Sequence, residues 1–166
     1  EIPFKEPYLN SILKRNLDKK NIFFSTKFIL KKNERNILFV CVGTPSNRNG
    51  SINLRYVANV IKKINYLAKN EKILIVIKST VLPGTISKKL AKLITKKNIS
   101  ICSNPEFLRE GYAWKDFIKT DKIVIGYKKK EDLTVLKKIY KNFTGDIVSD
   151  TTDTAEYIKY LSNSLL

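Results

Sequence analysis

The run Ile37-Leu38-Phe39-Val40-Cys41-Val42, closed at once by Gly43-Thr44-Pro45, decides the fold. Six consecutive apolar residues without polar alternation describe a strand covered on both faces, as in a parallel sheet. The same form recurs at 73–77 and 99–103, and in shorter pieces at 123–125 and 147–148. Between these runs the apolar spacing becomes that of a helix. Residues 53–69 place Leu54, Val57, Ile61, Ile64 and Leu67 on one face, with Asn53 as the expected cap. Residues 85–97 do the same with Ile86, Leu90, Leu93 and Ile94, and 131–143 form a further helix. Strands alternating with such helices imply an α/β fold, a parallel sheet joined by right-handed crossovers.

The flanks extend this pattern. Leu9, Ile12, Leu13 and Leu17 predict a helix over 8–17, and Ile22-Phe23-Phe24 a short strand. Residues 27–36 are expected as a short helix and polar loop. From Thr152 the pattern is helical, with Ala155, Ile158, Leu161 and Leu165 on one face. The 166 residues, 43% of them apolar, suffice for one core. The chain starts at Glu1, has no methionine and stops inside a helical pattern, so we read it as an internal fragment of a longer protein.

Composition narrows the chemistry. Cys41 and Cys102 both fall in apolar runs and are expected to be buried, reduced thiols. With no histidine and no Cys-x-x-Cys, no metal site is expected. No signal peptide and no membrane-spanning run are evident, so a cytoplasmic setting is expected, with no membrane partner. The net charge of +17, from 32 Lys+Arg against 15 Asp+Glu, would suit a nucleic-acid partner. Most of the excess is lysine scattered among Ile and Asn, residues of A/T-rich codons, and such lysines form solvated faces. Phe23, Phe24 and Phe39 are expected inside strands rather than on a nucleic-acid surface, so no nucleic-acid partner is expected.

Chemistry concentrates where the strands end, because open α/β sheets bind ligands there. Ser103-Asn104-Pro105-Glu106-Phe107-Leu108-Arg109-Glu110-Gly111 puts two acids, an amide and a guanidinium after the strand at 99–103. Such a loop can bind and deprotonate a polar substrate. Its plainer reading is a helix start capped by Asn104, with Pro105 at the first position. Gly43 lets a ligand approach the backbone closely, and Thr44, Ser79 and Thr80 supply hydroxyls at two neighbouring strand exits. Thr85 reads as a helix cap. Lys159 and Asn163, four residues apart, share a helix face and could stabilise an oxyanion, or could simply be its polar side.

The nonapeptide at 103–111 resembles the substrate loop of the UDP-glucose 6-dehydrogenase family. Phe39-Val40-Cys41-Val42-Gly43-Thr44-Pro45-Ser46, Lys78-Ser79-Thr80-Val81-Leu82-Pro83-Gly84-Thr85, Asp121-Lys122-Ile123-Val124-Ile125-Gly126 and Ala155-Glu156-Tyr157-Ile158-Lys159-Tyr160-Leu161-Ser162-Asn163 resemble other motifs of that family, in order. So does Pro3-Phe4-Lys5-Glu6-Pro7-Tyr8-Leu9. The resemblance implies a Rossmann-like NAD-binding domain over 1–150 without its first two strands and Gly-rich turn. It implies that 151–166 begin a central dimerisation helix, and that the full-length protein is a homodimer.

The resemblance also implies roles. Val42, Gly43, Thr44, Pro45, Ser46, Ser79, Thr80, Val81 and Glu110 would contact NAD. Glu106, Phe107, Leu108, Arg109, Glu110, Lys159 and Asn163 would contact a UDP-sugar, with Thr80, Glu106, Lys159 and Asn163 catalytic. The implied reaction oxidises the C6 alcohol of UDP-glucose to the carboxylate, for polysaccharide biosynthesis. It uses two hydride transfers and a thioester on a cysteine beyond residue 166. Leu82 stands where the family usually has Pro, and Ser164 where it has Ala. Alternatives are oxidation of GDP-mannose or a UDP-N-acetylhexosamine, and a non-catalytic remnant of such an enzyme.

Overall fold

The structure is a computed structural model that describes residues 6–165. Pro3, Phe4 and Lys5 of the first motif, and Leu166, lie outside the described residues. Five strands form one sheet in chain order: β1 (Arg35–Val40), β2 (Lys72–Ile77), β3 (Ile99–Ser103), β4 (Lys122–Gly126) and β5 (Asp146–Asp150). The helices are α1 (Leu9–Asp18), α2 (Arg55–Leu67), α3 (Ala113–Ile118), α4 (Lys130–Ile139) and α5 (Thr152–Leu165). β1, β2 and β3 are parallel, with Ile37 beside Leu74 and Ile75 beside Ile101.

β2 is the centre of the core. Ile73, Ile75 and Ile77 point to one face and pack with Val57, Ile61 and Ile64 of α2 and with Ile86 and Leu90. Leu74 and Val76 point to the other, with Cys102, Ile125, Leu136 and Tyr140. Alternate side chains of a strand take opposite faces, so a run of apolar residues fills two layers. At the foot of the sheet, buried Asp132 of α4 pairs with Arg35 and accepts the Ser100 hydroxyl at 2.9 Å, fixing α4 across β1 and β3.

Several expectations need correction. β1 starts two residues earlier than 37–42 and is only half-buried, because it is the sheet's outer strand among the described residues. Phe39 is therefore exposed, and Cys41, just past the strand's end, is exposed too rather than buried. Residues 22–24 form no strand and 27–36 no helix; Phe23 and Phe24 have no sheet neighbour and are exposed. The 85–97 helix is shorter. It is a π-helical segment (Ile86–Leu90) followed by a single 3₁₀ turn (Ala91–Leu93), and the chain turns extended at Ile94.

The largest correction concerns strand direction. β4 runs antiparallel to β3, meeting it at Ser103 and Gly126, while β4 and β5 are parallel. Asn104 does not start a helix. Its side-chain amide donates to the Val124 carbonyl at 2.8 Å, and Phe107 lies beside Lys122. Residues 104–108 thus continue outward past β3, and β4 begins beyond that rim and returns toward it. α3, which apolar spacing alone does not signal, closes the connection in six residues.

α5 crosses this junction with an unexpected face inward. Thr152, Ala155, Glu156 and Lys159 are buried, whereas Leu161 and Leu165 are exposed and Ile158 is half-buried. Gly126 explains the close crossing. A Cβ there would lie 2.6 Å from the Thr152 Cα and 2.7 Å from the Ala155 Cβ.

Candidate active site

The exits of β1, β2 and β3 share one rim because those strands are parallel. Hydrogen bonds stitch the first two exits together. The Ser79 hydroxyl donates to the Val42 carbonyl at 2.6 Å, and the Thr44 hydroxyl to the Thr80 carbonyl at 2.8 Å. The Lys78 and Ser79 amides both donate to the Val40 carbonyl. This leaves Val42, Thr44, Ser79 and Thr80 half-buried in one surface. Gly43 sits in it with nothing within 4 Å of where a Cβ would stand, so a flat ligand can approach the main chain there. Val81 is buried in the core; Pro45 and Ser46 are exposed at the loop's edge.

The third exit carries the acid. Glu106 is half-buried; its Oε2 accepts the Leu108 amide at 2.7 Å, and its Oε1 lies 3.6 Å from the Lys159 ammonium. Lys159 comes from α5, fifty-three positions away in sequence, and is 6% exposed. The Phe107 ring lies under two cations, with Lys122 4.8 Å and Lys159 5.1 Å from its centroid. Buried Asn104 anchors the loop. Its amide donates to the Ile77 carbonyl, and its Oδ1 accepts from the Tyr140 hydroxyl at 2.5 Å and from Lys78 at 3.2 Å.

Lys78 is the residue that the sequence reading passed over. Its ammonium also donates to the Asn104 carbonyl at 3.1 Å, and it lines the same cleft as Glu106 and Phe107. Burial lowers its pKa, and Cys41 and Glu106 pull it partly back. A lysine directly after the five-residue run 73–77 was the available signal, since a strand exit at the rim faces any ligand.

Other expected site residues stand apart. Arg109 is held by Asp116 through Nε and Nη2, at 3.0 and 2.7 Å, and stacks on Tyr112. That pairing draws Asp116 down to about 2. Leu108, Glu110 and Asn163 are exposed, Asn163 one turn beyond Lys159. The structure therefore brings Glu106, Phe107 and Lys159 together, and separately Val42, Thr44, Ser79 and Thr80. Burial pushes the Cys102 thiol up to about 12, and partial desolvation raises that of the more exposed Cys41 despite nearby Lys78. Among the described residues no three His, Cys, Asp or Glu side chains cluster as a metal site. No helix among them is long and apolar enough to cross a membrane.

Residues 1–144 match the family model described as the UDP-glucose/GDP-mannose dehydrogenase family, NAD binding domain. The chain is 40% identical to UDP-glucose 6-dehydrogenase of Rickettsia conorii, over 99% of its own length and 38% of the relative's. It is 35% identical to GDP-mannose 6-dehydrogenase of Pseudomonas aeruginosa, over 97% of its own length and 39% of the relative's. A crystal structure of a ternary complex of GDP-mannose dehydrogenase from Pseudomonas aeruginosa superposes with a TM-score of 0.92 at 32% identity, covering 99% of this chain and 40% of that one. The chain thus spans about two fifths of the length of these relatives.

Proposed function

The chain belongs to the UDP-glucose/GDP-mannose dehydrogenase family, as its NAD-binding domain, and from this we propose that it is the cofactor-side part of a longer enzyme that oxidises the C6 alcohol of UDP-glucose to the carboxylate. The observation that carries the reading is the meeting of Glu106 and Lys159 at 3.6 Å, beside the rim formed by the Gly43 and Thr80 loops. An ammonium at that position can stabilise negative charge developing on the substrate oxygen. A half-buried carboxylate beside it can take a proton from the alcohol or from attacking water. NAD, when bound, would supply the hydride acceptor. Gly43, Thr44, Ser79 and Thr80 would hold it at the rim, with its pyrophosphate cradle supplied by a Gly-rich turn in the longer polypeptide.

Two successive oxidations release two hydrides and add the oxygen of one water. A thioester on a cysteine of the longer polypeptide is consistent with the thiols of Cys41 and Cys102 both being raised above their ordinary value. Asn163 and Glu110 would join the site once the substrate side is in place. The exposed α5 residues Tyr157, Tyr160, Leu161 and Leu165 fit a homodimer seam. GDP-mannose is the second substrate reading, favoured by the backbone match at a TM-score of 0.92.

Assay of the full-length protein with NAD and each nucleotide sugar tests the reading. Two NADH per UDP-glucose are expected. Turnover of GDP-mannose alone would reject the substrate, and turnover of neither would leave a non-catalytic relative. In the same protein Glu106→Gln should lower kcat by about 10²-fold or more, the usual range for a general base. Gly43→Ala should leave the melting temperature unchanged, since the new Cβ meets open space, yet weaken NAD binding in calorimetry.

A further inference from the structure

Glu156 belongs to a motif noted in the sequence but has no part in the site as described. It is a carboxylic acid 2% exposed, facing inward from α5. Its Oε1 accepts the Ile86 amide at 2.8 Å, across seventy positions of sequence, and its Oε2 is buried without a partner. The Thr85 amide is already taken by the Leu82 carbonyl at 3.0 Å, so the carboxyl's partner in this segment is the Ile86 amide. Gly84 has φ +79°, a left-handed turn that leads the chain into the segment Glu156 meets. Thr85, the expected cap of the segment that follows, makes no side-chain capping bond. A residue from another helix therefore caps it instead.

The two ends of this contact belong to the two halves of the site. Segment 84–86 follows Ser79, Thr80 and Val81 after Leu82 and Pro83, and the Thr80 carbonyl accepts the Thr44 hydroxyl. Glu156 is one helical turn before Lys159 on the same buried face, and Lys159 reaches Glu106. We propose that Glu156 is a positioning residue: its buried carboxyl group accepts the Ile86 amide and so locks the helix that carries Lys159 to the segment that follows Ser79 and Thr80. The proposal rests on the dehydrogenase reading for its kinetic consequence but not for the lock itself.

Burial pushes this acid up to about 7, with the Ile86 and Gly84 amides drawing it back and Asp153 raising it further. The charged groups around it are few. Asp153 lies on its own helix, Lys88 lies over Gly84 from the π-helical segment, and β4 presents uncharged Gly126 to α5. A folded-state value above the ordinary 4.5 means that the folded chain holds this proton longer than the unfolded one. The associated stability is complete below about pH 4.5 and is lost as pH rises through about 7.

The test uses the full-length protein with Glu156→Ala and Glu156→Gln; the amide keeps the acceptor for Ile86 and cannot ionise. Hydrogen exchange by mass spectrometry should show segments 79–86 and 156–163 opening together in Glu156→Ala, by about tenfold, with 73–77 unchanged. Glu156→Gln should restore both segments. Between pH 5 and 8 the wild-type melting temperature should fall by about 5 °C relative to Glu156→Gln. Where UDP-glucose or GDP-mannose is turned over, Glu156→Ala should lower kcat about tenfold or more with KM little changed, and Glu156→Gln should recover it. Exchange that rises only at 84–86, or a lower melting temperature with kcat intact, would overturn the lock. Absence of turnover in wild type would reject the dehydrogenase reading while the exchange result still decides the lock.

Discussion

Replacing Lys159 by methionine in the full-length protein should lower kcat by about 10²- to 10³-fold, the range for removing one preorganised donor to a developing oxyanion. Methionine keeps much of the length and apolar stem of lysine, so packing against Phe107 is largely preserved. What is lost is the ammonium 3.6 Å from Glu106 and 5.1 Å from the Phe107 centroid. Glu106 would keep its bond to the Leu108 amide and lose its charge partner. NAD binding should change little, because the Gly43 and Thr80 loops form their own hydrogen-bonded surface without Lys159. Steady-state kinetics with calorimetric NAD titration separates the two effects. A kcat within about threefold of wild type would remove Lys159 from the chemistry, since loss of a working donor costs far more.

Gly126→Ala should destabilise the full-length protein by about 3 kcal/mol, at the upper end of ordinary overpacking. The added methyl would meet backbone on two sides, the Thr152 Cα at 2.6 Å and the Thr151 carbonyl oxygen at 2.8 Å, as well as the Ala155 Cβ. None of these is the flexible tip of a side chain. Either β4 or α5 must move, and α5 carries both Glu156 and Lys159. Lower stability in urea unfolding should therefore come with lower kcat in the surviving folded protein. A stable variant with normal turnover would mean that α5 can shift without disturbing Lys159. That result would argue against the tight coupling of β4, α5 and the Glu106 loop.

The motifs that line the candidate site were legible because each is local. Gly43-Thr44 and Ser79-Thr80 follow apolar runs that end at a sheet rim, and Asn104-Pro105-Glu106 follows another. Lys78 was legible in the same way and was passed over in favour of the hydroxyls beside it. Arg109 shows the limit of composition. As a guanidinium in a polar loop it looked available to a substrate, yet Asp116 on α3, an element that spacing did not reveal, holds it in two hydrogen bonds. Cys41 shows the limit of apolar runs. Its neighbours predict burial, but it stands one residue past the end of β1, an outer strand of the sheet among the described residues.

The sequence by itself determined the strands at β1, β2, β3 and β4, the helices α2 and α4 and the residues at the strand exits, because backbone propensity and apolar period act over a few positions. Only the tertiary structure decided that β4 runs against β3, that α5 turns Glu156 and Lys159 inward rather than Leu161 and Leu165, and that Lys159 meets Glu106. Those outcomes depend on which surfaces fit together. A glycine that lets two backbones approach and a buried carboxyl that meets the Ile86 amide settle them, and neither leaves a periodic trace along the chain.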